Sequence, residues 1–338
     1  MKNLREIEKE LTIPSEALIE DMARVEGDIM LLGIGGKMGP SMGKLAVDAI
    51  KAAGLEKRVY GVSRFSDAGA MKSLQDAGVE TISCDLLNDG ELRKLPQVQN
   101  IIYLAGHKFG TTGNEGFTWA MNAYLPGRVS EKFKNSRLVV FSSGNVLPFV
   151  PISSGGATEK TAPEPIGEYA QSCLGRERVF EYFSKANKTP MLIYRLNYAV
   201  DFRYGILLEM AKAVFHEKEI DLSTANVNVI WQKDANEIAL RALLHTTAPA
   251  KLLNVTGPEI LSLHWIASEF GTIFNKVPKF INEPVGTALL SNASECHRLF
   301  GYPKTTPGEM VEITANWLLQ GGDDFGKPTH FQQRGGRF

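Results

Sequence analysis

Cysteine is scarce in this 338-residue chain. Cys84, Cys173 and Cys296 are an odd number with no close-spaced pair, which excludes a disulfide framework and a zinc site and leaves reduced, buried thiols as the expectation. Net charge is nearly absent as well. Lys and Arg number 37 against 38 Asp and Glu, so no global field gathers nucleic acid or an anionic membrane, and a small-molecule substrate is the expected partner. No apolar run is long enough to span a bilayer, and Met1 to Glu10 is charged without the apolar core of a secretory signal, so the cytoplasm is the expected address. His107, His216, His245, His264, His297 and His330 fall at no metal-ligand spacing, and no metal is expected. Repeats and low-complexity linkers are missing too.

The remaining composition is that of an ordinary globular chain, 43% hydrophobic and 22% charged, long enough for about two domains or one large α/β unit. Short continuous apolar runs alternate with helical stretches: Asp28 to Leu32, Val59 to Val62, Val79 to Ile82, Ile101 to Ala105, Leu138 to Phe141 and Met191 to Tyr194. Runs of this kind suit strands buried on both faces of a parallel sheet, so the expected fold is a doubly wound α/β (Rossmann) sheet with a smaller C-terminal substrate or lid subdomain. The expected division is a helical extension over 1–27, a dinucleotide-binding domain over 28–200, and a mainly substrate-binding part over 201–338 that returns some segments to the sheet. Helices are expected near 204–217, 234–247, 262–275 and 308–320, followed by a polar, Gly-rich tail from Gly321.

The most informative stretch is Gly33-Ile34-Gly35-Gly36-Lys37-Met38-Gly39, which lies between the first apolar run and an amphipathic helix opened by Pro40. Glycines three apart permit a tight turn, close approach of a pyrophosphate to main-chain N–H groups, and tight helix-on-strand packing. The helix N-terminus adds a partial positive charge. A dinucleotide-binding turn is expected, with Gly33, Gly36, Lys37, Met38 and Gly39 as contacts. At the end of the second strand stand Ser63 and Arg64 rather than an acid, which favours the 2′-phosphate of NADP over the free hydroxyl of NAD, with NAD still possible.

These residues resemble the extended short-chain dehydrogenase/reductase superfamily, also called the NAD-dependent epimerase/dehydratase family, over nearly the whole chain. Asp85-Leu86 looks like its adenine-contacting pair, and Leu104-Ala105-Gly106 with His107 is similar to its cofactor-lining fourth-strand segment. Asn122 falls where the family carries an asparagine, and Ser142-Ser143 resembles the end of its fifth strand. Arg195-Leu196-Asn197 and Leu253 to Gly257 look like later family segments. The resemblance implies Ser143 as the hydroxyl that polarises the substrate oxygen and Tyr169 as the proton donor or acceptor. It also implies a dimer through helices near 117–134 and 168–186.

One departure stands out. The family places a lysine four residues after its tyrosine, at the cofactor-binding position that Cys173 occupies here, and no other tyrosine in the chain has a lysine at that spacing. A cation ~4 Å from the phenol at an effective dielectric of ~20 is worth roughly 4 kcal/mol, so the missing charge bears hardest on oxidation, which needs a base at the start. Arg176, seven residues after Tyr169, and His107 are the candidate substitutes; Arg176 is expected to be a solvated helix residue. Asn197, Tyr198, Arg203, Tyr204 and Trp231 are candidate substrate contacts. The leading expectation is an NAD(P)-dependent oxidoreductase acting on a carbonyl or carbohydrate-like molecule. The alternatives are a sugar epimerase or dehydratase with tightly bound NAD, and a dinucleotide sensor or scaffold without catalysis.

Overall fold

The computed structural model describes residues 3–108 and 110–336; residues 1, 2, 337 and 338 of the two expected flanking regions lie outside it. Seven parallel strands form the central sheet: β1 (Ile29–Leu32), β2 (Val59–Ser63), β3 (Glu80–Ser83), β4 (Asn100–Tyr103), β5 (Arg137–Ser143), β6 (Met191–Leu196) and β7 (Lys251–Val255). Their order is β7-β6-β5-β4-β1-β2-β3, so the chain reverses direction of growth between β1 and β4. That switch point opens a crevice at the carboxyl ends of the two strands, where α/β sheets bind ligands. β1 and β4 are buried at every position, which explains the apolar residues Ile29 to Leu32 and Ile101 to Tyr103, whereas edge strand β3 is half-exposed and begins one residue later than the apolar run suggests.

The helices before the second half of the sheet are α1 (Leu4–Glu10), α2 (Glu16–Arg24), α3 (Gly39–Ala52), α4 (Ala68–Asp76) and α5 (Asp89–Lys94). Ser15 caps α2 by accepting from Leu18 N, and α2 adds Leu18 and Met22 to the core under the sheet. α1 instead sends Ile7 and Leu11 into a second core built mainly from the C-terminal half. The expected extension is therefore split between two cores rather than packed as one unit.

The helix expected near 117–134 is interrupted. It runs as α6 (Glu115–Trp119), a π-turn over Ala120–Tyr124, and α7 (Leu125–Lys132). Pro126 lacks the N–H that an uninterrupted α-helix would use there, and Leu125 N bonds back to Ala120 O across the wider turn. The consequence is that Asn122 is turned fully inward. α8 (Gly167–Asn187) follows and carries Tyr169, Cys173 and Arg176 on its buried face.

The remaining helices are α9 (Ile206–Phe215), α10 (Gln232–Arg241), α11 (Leu263–Phe274), α12 (Ser294–Phe300) and α13 (Pro307–Leu319), near their expected places. α9, α11 and α13 enclose the second core around Phe202, Trp231, Phe270 and Trp317. β7 returns to the main sheet beside β6, and α10 packs Ala235 and Ala239 into the core under the sheet. The tail after α13 is not a free end. Phe331 is buried in the second core, and Thr329 is bonded through both N and Oγ1 to the Glu209 carboxylate.

Candidate active site

The turn after β1 packs as tightly as its glycines predict. Gly33 adopts φ +92°, and a Cβ there would lie 2.7 Å from Ala105 N; a Cβ on Gly39 would lie 2.1 Å from Ile34 O. Gly36 is different, because its Cβ would meet only Gly33 O at 3.5 Å. No side chain caps the N-terminus of α3, whose first turn therefore faces the crevice with its dipole available to an anion. Open room at Gly36 and an uncapped helix end fit a pyrophosphate.

A cavity of about 240 Å³ extends from this turn into the second core's rim. Its walls include Gly33, Gly36, Lys37, Met38 and Gly39 on one side, with Leu104, Ser143, Tyr169, Asn197, Tyr198 and Tyr204 around the rest. Ser143 and Tyr169 meet: the phenol is hydrogen-bonded to Ser143, whose hydroxyl also donates to Asn145 Oδ1 at 2.9 Å and accepts from Asn145 N at 3.2 Å. Burial raises the Tyr169 pKa well above the phenol range, with the neighbouring Cys173 pushing the same way and Arg176 and Ser143 opposing. Tyr169 is thus a neutral phenol at pH 7. Cys173 is fully buried behind it, its thiol pushed up by desolvation, and is not part of the cavity wall expected of a cofactor contact. The reason is its position on α8, which directs it into the apolar cluster of Val146, Leu147 and Ala157.

Arg176 corrects its expectation most sharply. It is 6% exposed, not solvated, and its guanidinium donates to Phe141 O at 2.8 Å and to Asn122 Oδ1 at 2.6 Å. Asn122 likewise does not line the cavity. It receives His107 N at 2.8 Å and donates to His107 O at 2.9 Å and Ser172 Oγ at 2.9 Å, so the π-turn pins the loop after β4. Gly106 is required in that loop, since a Cβ would lie 2.5 Å from Arg176 Nη2. The His107 ring faces Thr118 Oγ1 at 3.0 Å and Phe117, and burial lowers its pKa, so it serves the loop rather than Tyr169.

Several site residues escape the sequence reading. Lys108, next to His107, lines the cavity with its Nζ 5.9 Å from the centre of the Tyr169 ring. Lys327 and Thr329 of the tail and Asn145 line it too. Proximity to the fourth-strand segment was an available signal for Lys108; for the tail there was none, because nothing local links residue 329 to residue 209. Lys37 crosses the cavity to donate to Ala199 O at 2.7 Å and lies 4.2 Å from the centre of the Tyr204 ring. Desolvation lowers both Lys37 and Lys108 to about 8, against the pull of Asp201 on the first and of Cys173 and Glu209 on the second. No carboxylate lines the cavity among the described residues.

The other expected contacts divide. Asn197 lines the cavity and is fixed by donating to Asn228 Oδ1 at 2.8 Å. Trp231 is 4% exposed beside Phe202 in the second core and does not line this cavity. Arg203 also turns away, lying over Phe202 and Phe325 and pairing with Glu8 and Asp201. At the open outer end of the crevice, Ser63 ends β2 and Arg64 is exposed, with no ion pair to a described residue. Asp85 accepts from Leu87 N at 3.0 Å and shapes the turn after β3, and Leu86 is buried in the neighbouring core.

No curated protein matches the chain. Solved structures do. UDP-glucuronic acid 4-epimerase from Bacillus cereus in complex with NAD is 19% identical and covers 87% of this chain and 99% of its own, with a TM-score of 0.70. UDP-glucose 4-epimerase from Thermus thermophilus, also in complex with NAD, is 16% identical over 86% and 98%, with a TM-score of 0.70. UDP-Glc/GlcNAc 4-epimerase from Campylobacter jejuni is 18% identical over 87% and 100%, with a TM-score of 0.72. At these identities the likeness is one of fold. The family described as NAD dependent epimerase/dehydratase matches residues 30–229, from the first strand through both sides of the crevice, and the chain belongs to that family.

Proposed function

We propose that this protein is an NAD(P)-dependent epimerase or dehydratase acting on a sugar derivative, with Tyr169 moving the proton and Ser143 orienting the substrate oxygen. The observation that carries this reading is the hydrogen-bonded meeting of Ser143 and Tyr169 on the cavity wall opposite the glycine turn. Family membership and the epimerase folds support it over the one-way oxidoreductase that the residue at position 173 suggests from sequence.

When bound, the nicotinamide would supply the acceptor that takes hydride from the substrate and gives it back. The chain's own groups do the rest. Gly33, Gly36 and the first turn of α3 receive the pyrophosphate. Arg64, exposed beside the crevice, supports the 2′-phosphate form of the cofactor. Ser143 donates to the reacting oxygen, and Tyr169 exchanges its proton. The lysine-lined wall, without a carboxylate, favours a substrate bearing negative charge or many hydroxyls.

One observation favours a second reading, reduction of a carbonyl without return. A phenol held neutral by burial donates a proton at once but needs a base before it can accept one.

Nicotinamide content of the purified protein separates the two. Near-stoichiometric retained nicotinamide supports the epimerase or dehydratase, and cofactor-free protein that oxidises added NADPH supports the reductase. Thermal shifts with NADPH, NADP, NADH and NAD test the role of Arg64, because selective binding stabilises the folded state by mass action. Equal shifts for NADH and NADPH defeat it.

A further inference from the structure

Tyr169 is surrounded by groups that cannot take its proton. Cys173, one helical turn on, is a buried thiol with its pKa raised. Arg176 is committed to Phe141 O and Asn122 and is protonated throughout the working range. Ser143 brings no charge.

Lys108 brings a titratable amine to the same cavity wall. Its Nζ stands 5.9 Å from the centre of the Tyr169 ring, on the wall of the same cavity. Its backbone is placed by His107, which Asn122 holds from both sides at 2.8 and 2.9 Å. The charged and titratable groups facing this amine are Cys173 and Glu209, the latter tied to Thr329, together with Lys37 and Lys327 on the same cavity wall. Burial brings Lys108 to about 8, so both its forms are present near neutral pH, as proton exchange requires.

We infer that Lys108 is the proton-exchange partner of Tyr169, filling the place left by Cys173. This rests on the reaction proposed above. In the oxidative direction the substrate hydroxyl proton passes to the Tyr169 oxygen as the phenolic proton passes to the neutral Lys108 amine: one Tyr169 O–H bond breaks as another forms, an N–H bond forms on Lys108, and the phenol stays neutral, as its raised pKa requires. In the reductive direction the same protons return through Tyr169, and nothing is oxidised or reduced in either transfer. The ammonium charge offsets negative charge developing on the phenol oxygen.

Two measurements on the full chain test this. The pH dependence of Lys108 acylation, with acetic anhydride as probe and mass spectrometry as readout, is expected to reach its midpoint near pH 8. A midpoint in the ordinary lysine range overturns the inference. The second is the pH profile of turnover on the sugar derivative that the protein converts. Lys108→Met is expected to lower turnover about 10²-fold and to erase the break near pH 8, and Lys108→Arg to keep the charge but also lose the break. Adding Cys173→Lys to Lys108→Met is expected to restore at least about tenfold of the lost rate by returning a titratable amine. A Lys108→Met protein with a native melting curve and an unchanged break overturns the inference. Full turnover by Tyr169→Phe defeats the proposed reaction instead, while the acylation midpoint still reads the state of Lys108 by itself.

Discussion

Arg176 donates to the side-chain oxygen of Asn122 at 2.6 Å, which joins the helix carrying Tyr169 to the π-turn behind the crevice. Asn122 in turn satisfies both backbone groups of His107, so one buried amide organises three parts of the site. Asn122→Ala leaves Arg176 and the His107 backbone without these partners, each loss worth about 1–3 kcal/mol. We expect a destabilisation of about 3 kcal/mol in urea unfolding, with Lys108 more rapidly acylated. A loss below about 0.5 kcal/mol would mean that water replaces the amide fully.

The glycine turn separates folding from binding. Gly39→Ala drives a Cβ to 2.1 Å from Ile34 O and is expected to lower the melting temperature as well as remove cofactor binding. Gly36→Ala meets only Gly33 O at 3.5 Å and is expected to melt normally while losing the thermal shift that NAD(P) produces. Wild-type cofactor shifts in Gly36→Ala would remove the pyrophosphate from this turn.

Much of this arrangement was legible in the sequence, and the failures share one cause. The strands of the sheet announce themselves because doubly buried strands need continuous apolar runs, and the turn after β1 because close backbone approach needs glycine. Ser143 and Tyr169 could be placed by their segments. Arg176 could not, since an arginine reads as a surface residue until β5 supplies a carbonyl and the π-turn an amide to satisfy it. Lys327 and Thr329 reach the cavity because the tail is held by its bonds to Glu209, a pairing across 120 positions that no local pattern encodes, and by Phe331 in the second core. Trp231 departs in the opposite sense: an aromatic near a family segment looks like a substrate contact until the second core closes around it.

Beneath the site, Glu177 accepts from Arg195 Nε and Nη2 at 2.9 and 2.7 Å and from the Ser142 hydroxyl at 2.6 Å, all buried. Breaking such a pair strands a charge. Glu177→Gln is expected to destabilise by about 3–5 kcal/mol, and Glu177→Met with Arg195→Met together by clearly less, because no charge is left unpaired. Chemical unfolding of the two variants against wild type checks the order. A double variant worse than the single would show that the pair contributes more than its desolvation costs.

Lys37 gives stability a pH dependence. Its pKa is lowered from 10.5 in the unfolded reference to about 8, so the unfolded chain binds more protons between those values and stability rises with pH across the window. Lys37→Met is expected to be the more stable protein at pH 7, by about 1–2 kcal/mol after allowing for partial exposure and the lost contact with Ala199, and the gap closes toward pH 10.5. Melting curves taken from pH 7 to pH 10.5 read this directly. A constant gap would assign the lysine an ordinary, solvated pKa.

The central claim is that Tyr169, oriented with Ser143, moves the proton in a nicotinamide-dependent reaction on a sugar derivative. Its most direct measurement compares wild type and Tyr169→Phe for turnover on a panel of sugars, sugar acids and nucleotide sugars, with cofactor binding measured in parallel. The account predicts that Tyr169→Phe binds the cofactor as wild type does and loses turnover by about 10²-fold or more. Equal turnover by the two proteins contradicts it.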